Sequence, residues 1–301
     1  MQKPKVALVS INTGAYDTYF KVLFPYFYTN FLPDCELTFV VFTDSSELEE
    51  LYRYNPIVKI IKTPYEAWPG ATLKRFHYFS QASSHLEQFD YIFFANANYY
   101  CKNKILASEL LLPEGEKGLI FVEHFGQNHL PERLRSYERN PASLAYIPEE
   151  QATTYVAGAF YGGTAQEFLT MAKTLAQRVD QDLANGIIAI WHDESHLNCY
   201  ALQIGYQAKV LPPRYLVPQE YYFASSYIGE RQDWPCVLLN KNALPIAAQD
   251  VRDSKAKLDA RLVERLLIKE RELEQLWLDK REVYLEQAKS NPGFIVFNWQ
   301  V

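Results

Sequence analysis

Short, nearly unbroken apolar runs alternate along this chain with longer segments of helical spacing. Residues 5–11 (KVALVSI) form a β-rich run that ends in Asn12-Thr13-Gly14, the pattern of a strand followed by a turn. Residues 16–31 are aromatic and helical in spacing. A second apolar run at 37–42 (LTFVVF) is closed by Thr43-Asp44-Ser45-Ser46, and a third covers 57–61. Residues 71–87 carry helical periodicity. A fourth run at 91–94 (YIFF) leads straight into Ala95-Asn96-Ala97-Asn98. Strands apolar on both faces, alternating with helices, predict an α/β fold: a mainly parallel central sheet flanked by helices. Ligands of such sheets sit beyond the C-terminal strand ends, where Gly14 and the Asn96/Asn98 pair fall.

The second half is less regular. Residues 118–122 predict a short strand, 158–163 (GAFYGG) a glycine-rich bend, and 166–185 a helix; 187–191 lead into His192-Asp193-Glu194-Ser195. From 253 to about 289 the pattern is helical and highly charged, with an apolar stripe of Leu258, Leu262, Leu266, Leu273 and Leu276. That stripe predicts packing on the parent domain; a homo-oligomer built through a short coiled coil would use the same residues. The near-balance of charges argues against an interfacial membrane helix. Residues 294–299 are apolar and aromatic, and no internal repeat is evident.

Composition narrows the classes. A chain of 301 residues with 48% apolar and 22% charged residues can bury a sizeable core. A net charge of −6 gives no global positive field, so no nucleic-acid partner is expected. There is no apolar stretch of about 18 residues, so no transmembrane helix is expected. No secretory or transit pattern is visible, which points to a cytoplasmic protein, with peripheral attachment at the inner membrane face as the variant of that expectation. Cys35, Cys101, Cys199 and Cys236 are widely spaced and form no CxxC, which favours free thiols over disulfides or zinc. Aromatic residues, at 15%, fit either a ring-packed core or a groove whose rings stack on sugars.

Candidate chemistry lies in three places. Alternation in an extended Asn96-Ala97-Asn98 would point both amides to one side. Amides offer donors and acceptors without charge, which suits a hydroxyl-rich ligand; Mg²⁺ and Mn²⁺ usually want a carboxylate. A polar turn closing a strand explains the same residues. Residues 191–196 (WHDESH) admit a solvated helix start with an Asp or Ser cap. They also admit a zinc pair from His192 and His196, although this is not HExxH. A third reading is a carboxylate beside an aromatic ring, stabilising an oxocarbenium-like sugar carbon. A departing diphosphate needs cations or backbone N–H groups. Lys74, Arg75, Arg133, Arg135, Arg139, Lys241 and Arg252 are the basic candidates.

Residues 136–148 (SYERNPASLAYIP), 155–163 (YVAGAFYGG) and 184–198 (ANGIIAIWHDESHLN) resemble segments of glycosyltransferase family 6. This is the family of the histo-blood group A and B transferases, the α-1,3-galactosyltransferases and bacterial relatives. The resemblance runs from about residue 5 to about 252. It implies a GT-A catalytic domain over 1–252, with a donor half to about 120 and an acceptor half beyond, and leaves 253–301 as an unmatched helical extension. It implies retaining α-1,3 transfer of galactose or N-acetylgalactosamine from a UDP-sugar to a galactose-terminated glycan, plain or fucosylated. Animal members hold Mn²⁺ with Asp-x-Asp at the Asn96/Asn98 positions. Resemblance to the bacterial Asn-x-Asn members therefore implies metal-independent transfer with no cofactor.

Site residues follow by the same resemblance. Val9, Ile11 and Tyr16 match the uracil and ribose site; Trp68 and Arg75 lie in a donor-binding segment, 67–76. Asn96, Asn98 and Asp193 belong with the donor, and Lys241 matches the diphosphate lysine. Arg252 corresponds to a later arginine, at longer spacing from Lys241 than in animal members. Ala157, Gly158 and Ala159 match the triplet that reads the donor's C2 substituent, where one methyl changes discrimination only about 10–200-fold. His124 and Trp191 match acceptor-binding residues, and Glu194 the glutamate on the β-face of the anomeric carbon. Pro218 stands where animal members carry an acidic acceptor-binding residue. Two rival expectations are a fold-retaining protein that binds UDP or glycan without transfer, and a hydrolase with a metal on the His192/His196 cluster.

Overall fold

The computed structural model describes residues 3–205, 208–221, 234–253 and 257–290. The first half comprises β1 (Lys5–Ile11), α1 (Asp17–Asn30), β2 (Glu36–Thr43), α2 (Ser46–Tyr52), β3 (Val58–Lys62), the short helices α3 (Gly70–Leu73), α4 (Arg75–Gln81) and α5 (Ser83–Leu86), then β4 (Tyr91–Ala95), β5 (Tyr99–Cys101) and α6 (Ala107–Leu110). The rest comprises β6 (Leu119–Val122), β7 (Phe160–Thr164), α7 (Ala165–Ala184), α8 (Asp193–Ile204), β8 (Ala208–Leu211), β9 (Val217–Pro218), β10 (Cys236–Leu238), α9 (Ala248–Arg252) and α10 (Ala260–Ser290).

Seven strands form the central sheet in the order β3-β2-β1-β4-β7-β6-β8. Strands β1 to β4 pair in parallel, whereas β7 runs antiparallel to both β4 and β6. A smaller sheet, β5-β10-β9, lies beyond the end of β4. Apolar side chains cover both faces of the large sheet, as the unbroken runs require. One face meets α1 through Phe20, Leu23 and Phe27; the other meets α4 and α7 through Phe76, Phe79, Phe168 and Leu175. The aromatic excess sits largely in this packing. Tyr99 stacks on Phe160 at 4.8 Å and Phe160 on Phe93 at 5.7 Å between ring centroids.

Two local expectations change. The glycine-rich 158–163 segment is no bend: most of it is β7, in the middle of the sheet. The glycines serve close packing. A Cβ on Gly162 would lie 2.3 Å from Phe93 Cδ1 and 2.5 Å from the Ile92 carbonyl oxygen. The helical pattern at 71–87 is interrupted at Lys74 and Ala82, whose ψ values of 3° and 11° depart from the helix, giving three short helices. Leu73, Phe76, Phe79 and Leu86 still face the core.

Of the C-terminal pattern, α10 is helical, while residues 254–256 and the apolar 294–299 lie outside the described residues. Leu258 and Leu266 join the core that holds α1, and the Leu258 carbonyl accepts from Thr18 Oγ1 at 2.8 Å. Leu273, Trp277 and Tyr284 pack with Phe125, Val217 and Trp234. Leu262 and Leu276 are half-buried against the same clusters, so the predicted stripe is spent within the chain. All four cysteines are buried and free. Among the described residues no helix is long and apolar enough to cross a membrane.

Replacing Gly162 by Ala forces a methyl into the β4–β7 contact, and the expected loss of stability is about 1–3 kcal/mol, the usual cost of overpacking. Urea unfolding measures it, and an unchanged midpoint would contradict the packing role assigned to this glycine.

Candidate active site

A cavity of about 170 Å³ opens beyond the C-terminal ends of β1 and β4. Ile11, Tyr16, Trp68, Arg75, Asn96, Asn98, Lys241 and Arg252 all line it. Thr13 and Thr72, which sequence reasoning did not single out, add two hydroxyls. Val9 does not reach this cavity: it is fully buried. It faces the same side of β1 as Ile11, one pleat deeper, and its partners Val40 and Phe94 on the flanking strands share its core cluster.

The Asn96–Asn98 segment is a tight turn rather than extended chain, closed by Tyr99 N–H donating to the Asn96 carbonyl at 2.9 Å. Asn96 Oδ1 accepts from Arg75 Nη2 at 3.1 Å. The Asn98 amide donates from Nδ2 to the Leu239 carbonyl at 2.7 Å and is buried. These two side chains do not fit the divalent metal that their position holds in animal members. No carboxylate is present at either place, and the Asn96 oxygen already faces a cation.

Arg75 gathers the site. Its Nη1 donates to the Gly158 carbonyl at 2.7 Å and pairs with Asp193 Oδ2 at 2.5 Å, and its guanidinium lies 4.2 Å from the Phe94 ring centre. Both Arg75 and Asp193 are buried. Burial pushes the Asp193 carboxyl up to about 6, with Arg75 opposing the rise. Among the other basic candidates, Arg135 and Arg139 donate to backbone carbonyls of their own loop. Lys74 pairs with Glu66 at 2.6 Å, and Arg133 is exposed.

Glu194 sits in the first turn of α8, and both of its carboxylate oxygens are engaged. Oε1 accepts from Tyr155 Oη at 2.9 Å, and Oε2 accepts from Gly158 N–H at 2.7 Å. Tyr155 is fully buried, and burial together with Glu194 drives its phenol far above the ordinary range, so it remains the donor. Gly158 permits the contact: a Cβ there would stand 3.0 Å from Glu194 Cβ. One helical turn on, Asn198 Nδ2 donates to the Glu194 and Val156 carbonyls at 2.9 Å each, and its Oδ1 accepts Val156 N–H at 2.8 Å. Ala157 and Ala159 flank Gly158 and are both buried. Tyr155 and Asn198 were not assigned roles from sequence, because their contacts with Glu194 and Val156 span 39 and 42 positions.

Lys241 and Arg252 pack on aromatic rings of the cavity. Lys241 Nζ lies 5.3 Å from the Tyr16 ring centre. Desolvation, then Arg252 and Arg75, lower the Lys241 ammonium to about 8. Arg252 stands 5.7 Å from the Trp68 ring centre, and Trp68 meets His192 edge-on at 5.0 Å. Burial also raises the Tyr16 phenol, with Arg252 opposing.

Beside Tyr155, His124 donates its backbone N–H to the Tyr155 carbonyl at 2.9 Å and meets the Tyr155 ring edge-on at 5.4 Å. Trp191 is 50% exposed, leaving a ring free for a ligand, and its carbonyl accepts Glu194 N–H. Pro218 is buried in β9. The His192/His196 metal pair does not form. His192 faces Trp68, while His196 is buried beside Asp182 with Nε2 3.6 Å from its carboxylate. Among the described residues no group of three or more His, Cys, Asp or Glu side chains could hold a metal ion.

The sequence model of glycosyltransferase family 6 matches residues 2–230. The histo-blood group ABO system transferase 2 of Rattus norvegicus is 41% identical over 120 residues, covering 39% of this chain and 33% of that protein. The chain thus matches about a third of the length of that relative. The O-antigen biosynthesis glycosyltransferase WbnI of Escherichia coli is 30% identical over 231 residues, 77% of this chain and 92% of that protein. The globoside alpha-1,3-N-acetylgalactosaminyltransferase 1 of Gallus gallus is 29% identical over 195 residues, 62% of this chain and 54% of that protein. The matched region carries the strand-end turn, the Arg75–Asp193 pair and the held Glu194, and the chain belongs to glycosyltransferase family 6, with the α/β GT-A architecture of that family.

Proposed function

We propose that this protein is a retaining glycosyltransferase that moves galactose or N-acetylgalactosamine from a UDP-sugar onto a galactose 3-hydroxyl of a glycan, without a divalent metal. The Gallus gallus relative is named for N-acetylgalactosamine transfer, and a further relative, alpha-1,3-galactosyltransferase 2 of Homo sapiens, for galactose transfer, which supports these sugars. The observation that carries the reading is Glu194, a carboxylate held by a phenol and by the N–H of Gly158, whose carbonyl accepts from the cavity-lining Arg75, three residues after the exposed Trp191.

The nucleotide lies across the strand ends on Ile11 and Tyr16, and its diphosphate meets Lys241 and Arg252. These fixed cations offset the charge that builds on the leaving group as the glycosidic bond breaks. Asn96 and Asn98 are neutral, so they add no repulsion toward that charge. Arg75, spent on Asp193, Asn96 and Gly158, shapes the site more than it reaches the ligand. Glu194 faces the sugar carbon. It either forms a transient glycosyl-enzyme or stabilises an oxocarbenium-like state while UDP takes the acceptor's proton. His124 and Trp191 orient the acceptor, which approaches from the face that UDP leaves.

Glu194→Gln tests the reading: UDP release with donor and acceptor should fall about a hundredfold or more, while UDP still binds. Wild-type turnover in that variant removes Glu194 from the mechanism. Binding of UDP and glycan with no UDP release, even in the wild type, would favour the binding-protein reading instead.

Activity should persist in excess EDTA; loss that Mn²⁺ restores would contradict the assignment of the diphosphate to fixed cations. A bound diphosphate favours the charged form of Lys241, whose free-enzyme ammonium titrates at about 8. Above that pH, binding must take up a proton. UDP affinity is therefore expected to fall as pH rises from about 8, by up to about tenfold per pH unit. Calorimetry across pH 7–9 reads the slope; a slope unchanged in Lys241→Met would assign it elsewhere.

A further inference from the structure

Helix α10 lies beyond residue 230, where the family match ends, yet it makes buried polar contact with the donor side. The link is Gln219, only 3% exposed. Its Nε2 donates to the Leu266 carbonyl at 3.0 Å and to Glu270 Oε2 at 3.3 Å, both on α10. Its Oε1 accepts from Asn240 N–H at 3.1 Å. Asn240 in turn caps the short 3-10 turn Lys241–Ala243, accepting Asn242 N–H on its side chain at 2.9 Å. The preceding residue, Leu239, is clamped to Asn98 by two bonds, Leu239 N–H to the Asn98 carbonyl and Asn98 Nδ2 to the Leu239 carbonyl. Glu270 is itself buried and lies 3.4 Å from Lys102, which also pairs with Glu274.

We propose that α10 is a positioning element of the diphosphate site, acting through Gln219 on the backbone that carries Lys241. The inference rests on the reading of Lys241 as a diphosphate-binding cation. A lysine is a point charge on a flexible four-carbon stem, so its reach depends on where its Cα is held. A site whose nearby amides contribute no charge leans on that placement more than one that also holds a dication. A buried glutamine with both ends engaged is costly to disturb on one side only, so it transmits the position of α10 to the turn. Gln219 is thus a positioning residue, not a catalytic one.

The test is a double-mutant cycle in the full chain, reading UDP dissociation constants by calorimetry and melting temperature in parallel. Gln219→Met should weaken UDP about tenfold, which is about 1.4 kcal/mol. Lys241→Met should weaken it more, and the double variant should bind no more weakly than Lys241→Met by itself. If Gln219→Met leaves UDP affinity unchanged, or weakens it equally in the Lys241→Met background, α10 only stabilises the fold and the proposal falls. If Lys241→Met leaves affinity unchanged, the diphosphate reading itself falls.

Where Gln219→Met does not fold, the same link is read with Gln219→Glu, which sets two carboxylates against each other. It should weaken UDP similarly, and Gln219→Glu/Glu270→Gln should restore the affinity by returning an N–H donor. Absence of rescue overturns the proposal.

Discussion

The buried guanidinium of Arg75 is the constraint on which the site depends. A charge taken out of water persists only where partners surround it. Here those partners come from three separated parts of the chain: Asn96 after β4, the Gly158 carbonyl before β7, and Asp193 at the start of α8. One planar cation thereby sets the spacing between the strand-end turn, the small-residue triplet and the helix that carries Glu194. The Asn96 amide matters to this balance. With Asp193 the Arg75 charge is already matched one to one, and a carboxylate at the half-buried position 96 would add a second negative charge beside the same guanidinium.

Around that centre the polar groups divide into a held carboxylate and a set of mutually repelling cations. Glu194 has little freedom, since a phenol and a backbone N–H take its two oxygens and Asn198 ties its helix turn to Val156. Lys241 is placed under strain of a different kind. Desolvation and two neighbouring arginines lower its affinity for a proton, a balance that a bound anion would reverse. Three cations thus stand close together in this cavity, and their mutual repulsion favours an anion beside them.

Helix α10 belongs to the same economy of support. Its N-terminal half packs with α1, directly after Tyr16, and its later residues pack with Phe125, next to His124. A helix outside the family match therefore braces the elements next to both Tyr16 and His124.

Much of this was legible from residue order. Unbroken apolar runs between helical segments dictate a sheet covered on both faces, because such strands have no polar side to offer water, and the four early strands pair as that pattern requires. Strand-end placement likewise brought Asn96 and Asn98 to one cavity, where Tyr16, expected from the family resemblance, joins them. The rest was set by packing between distant positions. The glycines of 158–163 read as a bend until Phe93 and Ile92 are placed against Gly162. Val9 and Ile11 look equivalent along β1, yet one pleat separates a core residue from a cavity wall. The partners of the Glu194 carboxylate and the glutamine link to α10 join residues 36 to 51 positions apart. Local pattern encodes which face of an element is buried, but not which side chains meet there, since a hydrogen bond depends on distances that exist only once the layers have closed.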